Sequence, residues 1–120
     1  MITPLEAERF TQSWLEAWNN HDLEAILAHY ADDVELTSPF VVQVLGDPSG
    51  TIRGKDNLKM YFGMGLSLFP DLRFDLIQMF IGVSSLVLHY KSVNDTLAAE
   101  AMVLDPQGKV AKVLAHYLPE

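Results

Sequence analysis

The chain has 120 residues, of which 49% are hydrophobic and none is cysteine, and its net charge is −8, from 16 acidic and 8 basic residues. This length and composition predict one domain, residues 1–120, with a substantial core, and the missing thiols exclude disulfides, thiolate metal sites and cysteine nucleophiles. The acidic balance argues against nucleic acid or an anionic membrane as a partner, because either would require a basic face.

The N-terminal segment 1–6 lacks the basic and apolar regions of a secretory signal. No apolar run approaches the roughly 18 residues that a membrane helix needs. We therefore expect a cytoplasmic protein.

The chain opens with a clear helix start. Thr3 is a candidate N-cap and Pro4 suits the first helical position. Phe10, Trp14 and Trp18 then recur every fourth residue, which places three aromatic rings on one stripe of this helix.

Further elements follow in the first half of the chain. Asp22 is a natural cap for a second helix that would run to about Tyr30. Strands are predicted at 34–38 and 40–45, and the spacing of apolar residues predicts a third helix over 55–66.

The second half of the chain changes to an alternating pattern. Strands are predicted at 72–81, 85–93, 96–104 and 109–117, separated by turn residues. Helices followed by an antiparallel meander are typical of an α+β domain.

The turns suggest a register for these strands. A two-residue loop at 94–95 would set His89 directly opposite Glu100, about 5 Å apart between Cβ atoms. A bulged turn with Gly108 in the left-handed conformation would then add Leu114 and His116 to the same face. A loop longer by one residue would instead send His89 and Glu100 to opposite faces.

Both faces of this predicted sheet are rich in apolar residues. A sheet with one hydrated face would not show this pattern. One face should pack on the helices, and the simplest cover for the other is a second copy of the chain. The pattern therefore predicts a homodimer through the sheet.

Five segments of the chain resemble the SnoaL-like branch of the nuclear transport factor 2-like superfamily. They are Trp-Asn-Asn-His-Asp-Leu-Glu-Ala-Ile at 18–26, Tyr-Ala-Asp-Asp-Val at 30–34, Arg-Gly at 53–54, Phe-Pro-Asp-Leu-Arg-Phe at 69–74, and Leu-Asp with Gly-Lys-Val at 104–110. The resemblance implies a cone-shaped, cystatin-like α+β fold, with three N-terminal helices closed against a curved antiparallel sheet. It does not fix an activity, because this fold hosts isomerases, cyclases, hydrolases, dehydratases and non-catalytic binders.

Within this superfamily the chain is most similar in local sequence to the ketosteroid isomerases. Their aspartate base corresponds to Ser38, which cannot accept a proton at neutral pH. Their two oxyanion donors, a tyrosine and a protonated aspartate, correspond to Trp14 and Glu100. The resemblance therefore implies a related cavity without the residues of a steroid isomerase.

The polyketide cyclases and epoxide hydrolases of the superfamily carry polar groups on the later strands. His116 is similar in position to a catalytic aspartate of those enzymes. The arginine that the hydrolases use has no counterpart in the matching strand, where Lys91 is the nearest cation. Epoxide opening is therefore not supported.

Two functions remain open. The first is cofactor-free proton transfer on a small apolar molecule, with Glu100 as acid or base, His89 as its partner and His116 as a second proton carrier. The second is a non-catalytic dimer that binds a small ligand or serves as an accessory module, in which a His–Glu contact would be a plain ion pair. No histidine spacing typical of a metal site is present. The predicted pocket lining is Trp14, Trp18, Tyr30, Ser38, Phe40, Phe62, Met102 and Leu114.

Overall fold

The computed structural model describes residues 1–119. Its elements are α1 (Pro4–Asn19), α2 (Leu23–Leu27), β1 (Tyr30–Thr37), α3 (Pro39–Leu45), β2 (Thr51–Arg53), α4 (Lys55–Leu68), β3 (Asp75–Ile81), β4 (Ser85–Lys91), β5 (Leu97–Leu104) and β6 (Val110–Tyr117), with a 3₁₀ turn at Val93–Asp95. Among the described residues, no helix is long and apolar enough to cross a membrane.

Helix α1 begins where its capping residues predict. The Thr3 side chain accepts a hydrogen bond from the Glu6 backbone N–H at 3.1 Å, and Pro4 is the first helical residue. The aromatic stripe points inward: Trp14 and Trp18 are buried, while Phe10 packs at the edge of the core. This part of the sequence-based prediction is confirmed.

Helix α2 is shorter than predicted. The Asp22 carboxylate caps it by accepting from the Ala25 N–H at 3.1 Å, as expected. The helix ends at Leu27, however, and Tyr30 already belongs to β1.

The segment predicted as a strand at 40–45 is instead the helix α3. The Ser38 side chain accepts from the Phe40 N–H at 3.2 Å, and Pro39 occupies the first turn. Gly46 ends the helix in the left-handed conformation with φ of 68°. A cap, a helical proline and a terminal glycine therefore override the strand preference of the intervening apolar residues.

The six strands form one sheet in the order β2-β1-β6-β5-β4-β3. The meander from β3 to β6 is antiparallel, which confirms the prediction for the second half of the chain. Strand β1 pairs parallel to β6, so the sheet is mixed, and the short β2 was not predicted. The fold is α+β with four α-helices, rather than three helices on a purely antiparallel sheet.

Strand β5 is displaced by one residue from its predicted register. His89 lies opposite Ala99, and Glu100 lies opposite Leu88 on β4 and Ala115 on β6. The loop before β5 has three residues, since the Ser92 N–H donates to the Thr96 carbonyl at 2.7 Å across it. The predicted pairing of His89 with Glu100 was therefore wrong.

The second error in register arises after the turn that follows β5. Gly108 has φ of 79° and its N–H donates to the Asp105 carbonyl, as the predicted bulged turn requires. A further irregularity follows, because Leu104 pairs with Val110 whereas Val103 pairs with Lys112. This extra residue shifts the pairing of residues 98–103 with β6 by one position and was not foreseen.

The helices cover one face of the sheet, which we call the inner face. Its β4–β6 residues are Leu86, Leu88, Tyr90, Ala98, Glu100, Met102, Val113, Ala115 and Tyr117. Together with α1 and α4, most of these side chains form one hydrophobic core. On the opposite side of the sheet, which we call the outer face, the residues described, 1–119, form no hydrophobic core with a helix.

Candidate functional site

A cavity of about 230 Å³ lies between α3, α4 and the inner face of the sheet. Its lining is mainly apolar and aromatic. The residues are Trp18, Leu36, Ser38, Phe40, Gln43, Val44, Tyr61, Phe62, Met64, Gly65, Leu68, Phe69, Leu72, Phe74, Tyr90, Ser92, Val93, Glu100, Ala115 and Tyr117. This volume is small for a ligand site, which indicates a compact ligand or the compact part of a larger one.

Glu100 is the acidic group of this cavity. It sits in the middle of β5, where strand alternation turns it inward, and only 8% of its surface is exposed. The Tyr90 hydroxyl donates a hydrogen bond of 2.7 Å to Glu100 Oε1. Within residues 1–119 the second carboxyl oxygen, Oε2, receives no protein hydrogen bond. One oxygen is therefore held in place while the other is available.

Burial raises the pKa of Glu100 to about 7, and the hydrogen bond from Tyr90 opposes this effect in part. Apolar surroundings disfavour a carboxylate because they cannot replace its hydration. A carboxyl group with a pKa near neutrality can both accept and return a proton at physiological pH.

Besides Tyr90, four residues with hydroxyl groups line the cavity together with Glu100: Ser38, Tyr61, Ser92 and Tyr117. Burial raises the pKa of Tyr61 to about 12 and that of Tyr117 well above its usual range; the charge on Glu100 adds to both shifts, and interaction with the Ser38 side chain counteracts them in part. Both phenols therefore stay protonated at neutral pH and can donate hydrogen bonds to a ligand.

The closed end of the cavity is aromatic. Trp18 packs edge-on against Phe62, with ring centroids 4.8 Å apart, and against Phe74 at 5.2 Å. Beneath this layer the Trp14 indole N–H donates to the Tyr30 hydroxyl at 3.0 Å. These rigid, packed rings define the shape of the cavity.

The structure divides the predicted pocket residues into two groups. Trp18, Ser38, Phe40, Phe62 and Glu100 line the cavity. In contrast, Trp14, Tyr30 and Met102 are fully buried core residues that support the cavity without lining it.

The other three predicted site residues, His89, His116 and Leu114, lie on the outer face. His89 contacts Gln78 through Nδ1 at 3.3 Å, and His116 Nδ1 lies 3.1 Å from the Leu114 carbonyl. Placing the two histidines and Leu114 beside Glu100 was wrong, because all three assignments depended on the register of β5.

Sequence reasoning missed the tyrosines of the cavity. Tyr61, Tyr90 and Tyr117 were not among the predicted pocket residues. Tyr90 lies two residues after Leu88 on a strand whose alternate positions are buried. That alternation was visible in the sequence, but its relation to Glu100 required the correct register of β5.

Among residues 1–119, no group of three or more His, Asp or Glu side chains is placed to hold a metal ion. The chemistry that this cavity can supply from its own residues is hydrogen bonding and proton transfer. Glu100 and the surrounding hydroxyls are the groups able to perform it.

A helix-covered mixed sheet with a cavity between helices and sheet defines the class of nuclear transport factor 2-like, cystatin-like folds. A protein of unknown function with a cystatin-like fold from Methylobium petroleophilum has this architecture, with a TM-score of 0.79, 14% identity, and 99% of this chain and 80% of that chain covered. A protein of the SnoaL-like family from Agrobacterium tumefaciens, described as a proposed isomerase, gives a TM-score of 0.73 at 16% identity, over 94% of this chain and 97% of that chain.

The SnoaL-like domain family matches residues 11–116, so the chain belongs to this family. A SnoaL-like protein of unknown function from Burkholderia thailandensis is 44% identical, with a TM-score of 0.94 over 99% of this chain and 100% of that chain. No functionally curated protein matches the sequence significantly.

Proposed function

We propose that this SnoaL-like protein catalyses cofactor-free proton transfer on a small, largely apolar carbonyl compound, with Glu100 as the general base and acid. The observation that carries the proposal is the position of Glu100: a buried carboxyl in an apolar cavity, hydrogen-bonded through one oxygen and available through the other. The isomerase activity proposed for a structurally similar Agrobacterium protein is compatible with this chemistry.

The proton transfer has a defined course. The Glu100 carboxylate takes a proton from the carbon next to the carbonyl group, and the C–H electron pair forms a carbon–carbon double bond. The carbonyl π electrons move to the oxygen, which becomes an enolate. The protonated Glu100 then returns the proton to a carbon of the enolate, so that atoms and charge balance over the cycle.

Two sets of cavity residues assist this course. Tyr90 is a positioning residue, because its hydrogen bond fixes Glu100 Oε1 and orients Oε2. The hydroxyls of Ser38, Tyr61 and Tyr117 can donate to the substrate oxygen and stabilise the negative charge that develops there.

Deuterium exchange tests this proposal directly. The protein is incubated in D₂O at neutral pD with 2-tetralone, an enolisable two-ring ketone, and NMR follows the loss of its α-protons above the buffer rate. We expect Glu100→Gln to bind the ketone but lose roughly 10²–10⁴-fold of the acceleration. Glu35→Gln, which changes an exposed carboxylate paired with Arg53, is the matched control.

An equally fast Glu100→Gln protein would overturn the role of Glu100. Binding of the ketone without exchange by the wild type would instead favour a non-catalytic ligand-binding module. Thermal stabilisation of each protein by the ketone measures binding independently of turnover.

We also propose that the protein forms a homodimer through the outer face of its sheet. Phe80, Val87, Ala101 and Leu114 lie side by side in one row across four strands, and Phe80 and Leu114 are exposed large apolar side chains. An exposed apolar row would be covered if two copies packed face to face about a twofold axis, which is the commonest symmetry of soluble oligomers.

A further inference from the structure

The rim of the cavity is unusually apolar for an exposed surface. Val44 on α3 and Met64 and Leu68 on α4 line the cavity and yet are exposed, Leu68 by 59%. Solvent-exposed methionine and leucine at the opening of a pocket cost hydration free energy in the free protein. A ligand that covers them would remove this cost.

The carboxyl group of Glu100 and the hydroxyl group of Tyr90 lie away from this rim, whereas the polar lining residues Gln43 and Tyr61 belong to the rim helices α3 and α4. Glu100 and Tyr90 are on β5 and β4, at the centre of the sheet, and both are buried. The rim residues belong to the helices on the other side of the cavity. A ligand that reaches both regions must be polar at its inner end and apolar at its outer end.

The charge of the lining restricts the ligand further. Among the described residues that line the cavity, none is Lys, Arg or His, and Glu100 is the acidic one. A carboxylate ligand would bring a second negative charge beside Glu100 without a cation to balance it. A neutral polar group can accept hydrogen bonds from the tyrosine and serine hydroxyls at no such cost.

We propose that the physiological ligand is a neutral, amphipathic carbonyl compound whose oxygen-bearing head enters the cavity and whose hydrocarbon tail extends over Val44, Met64 and Leu68. This inference rests on the proposed function in placing the carbonyl group at Glu100. The cavity volume of about 230 Å³ accommodates the head group, and the exposed rim residues offer the surface for the tail.

A homologous ligand series tests the inference. Binding of 2-alkanones from 2-hexanone to 2-dodecanone is measured by the fluorescence of Trp18 and Trp14, with heat of binding as a second method. Once the chain reaches the rim, each added methylene should tighten binding about two- to fourfold. The alkanoate of equal length should bind at least about tenfold more weakly at pH 8, because its charge is unpaired.

The rim is tested with matched variants of one helix. Met64→Gln should flatten the gain for long chains while leaving short ketones unaffected. Met60→Gln changes another exposed methionine of α4, at 70% exposure, that does not line the cavity, and it should leave the whole series unchanged.

Two results would overturn the inference: affinity that stops rising at short chains in the wild type, or an alkanoate or alkylammonium ion that binds as tightly as the ketone of equal length. The series is repeated in Glu100→Gln, where no chemistry is expected and binding is measured alone.

If the wild type binds the ketones in the predicted pattern but exchanges no deuterium, this inference is supported and the proposed function is rejected. If the wild type exchanges deuterium but its affinity does not depend on chain length, the proposed function is supported and this inference is rejected.

Discussion

At the scale of single residues, the chemistry of the cavity depends on how one carboxyl group is surrounded. Glu100 has a buried tyrosine hydroxyl on one oxygen and an apolar cavity on the other side. A carboxylate on the protein surface would have the usual acidity and would be a weak base at neutral pH. The apolar lining changes this, and it does so without any metal or cofactor being required for the effect.

We expect Glu100→Gln to alter how stability depends on pH. In the folded protein the pKa of Glu100 is raised from 4.5 to about 7, mainly by burial. Between these values the folded state binds more protons than the unfolded state, so wild-type stability falls as pH rises through this window. The loss amounts to about 3 kcal/mol in total. Glutamine has no proton to lose, so the variant should gain stability relative to wild type by up to this amount.

Urea unfolding at pH 5 and pH 8 measures this difference. The stability of Glu100→Gln minus that of wild type should be larger at pH 8 than at pH 5. Glu35→Gln, at an exposed ion pair, should show little such change. The same difference at both pH values for Glu100→Gln would show that Glu100 has an ordinary acidity.

At the scale of elements, the helix starts and the strand positions were largely readable from the sequence. Thr3 and Asp22 cap α1 and α2 as their side chains predict. The α3 segment was misread because the six residues 40–45, five of them apolar, are too few to reveal a helical period. Its signals were the flanking residues, Ser38 before it and Gly46 after it, and these carry the helical information for such a short element.

The predicted site failed where it depended on a count of loop residues. Each hairpin beside β5 contains one residue more than expected, at the 93–95 loop and at the bulge near Ala111. The two errors affected β5 alone: His89, Leu114 and His116 share a face as predicted, but Glu100 belongs to the other one. Composition predicts that a strand exists, whereas register depends on backbone conformations such as the positive φ of Asn94.

Two glycines of the helical layer, Gly46 at the end of α3 and Gly65 inside α4, offer a matched test of element stability. Gly46 has φ of 68°, so Gly46→Ala should destabilise the protein by about 1 kcal/mol through the backbone alone, since no atom lies within 4 Å of the added methyl group. Gly65 is inside α4 with equally open space. Gly65→Ala should therefore stabilise by roughly 0.5–1 kcal/mol.

Both glycine variants are compared with wild type by urea unfolding at one pH. Opposite signs are expected because the substitution and the free space are the same and only the backbone conformation differs. A shift in the same direction for both would contradict the helical end at Gly46 or the helical interior at Gly65.

At the scale of the whole molecule, the sheet separates the two surfaces on which our proposals rest. Its inner face and the helices enclose the cavity, and its outer face carries the apolar row from Phe80 to Leu114. Beside this row the Lys112, Glu35 and Arg53 positions follow one another across β6, β1 and β2, with an Arg53–Glu35 ion pair of 3.1 Å. These three side chains together carry a charge of +1, whereas the chain as a whole carries −8.

Leu114→Lys tests the dimer without disturbing the cavity, because Leu114 is 40% exposed on the outer face and does not line the cavity. Each protomer would bring a lysine into the apolar interface without a counter-charge, so we expect the dimer dissociation constant to rise at least roughly 100-fold. Light scattering and sedimentation at several concentrations measure this change. Met60→Lys, which places the same charge on exposed α4, should leave the dimer intact.

A wild-type protein that is monomeric at high micromolar concentration would reject the interface. If Leu114→Lys forms the dimer as strongly as the wild type, the dimer interface lies on another surface of the protein.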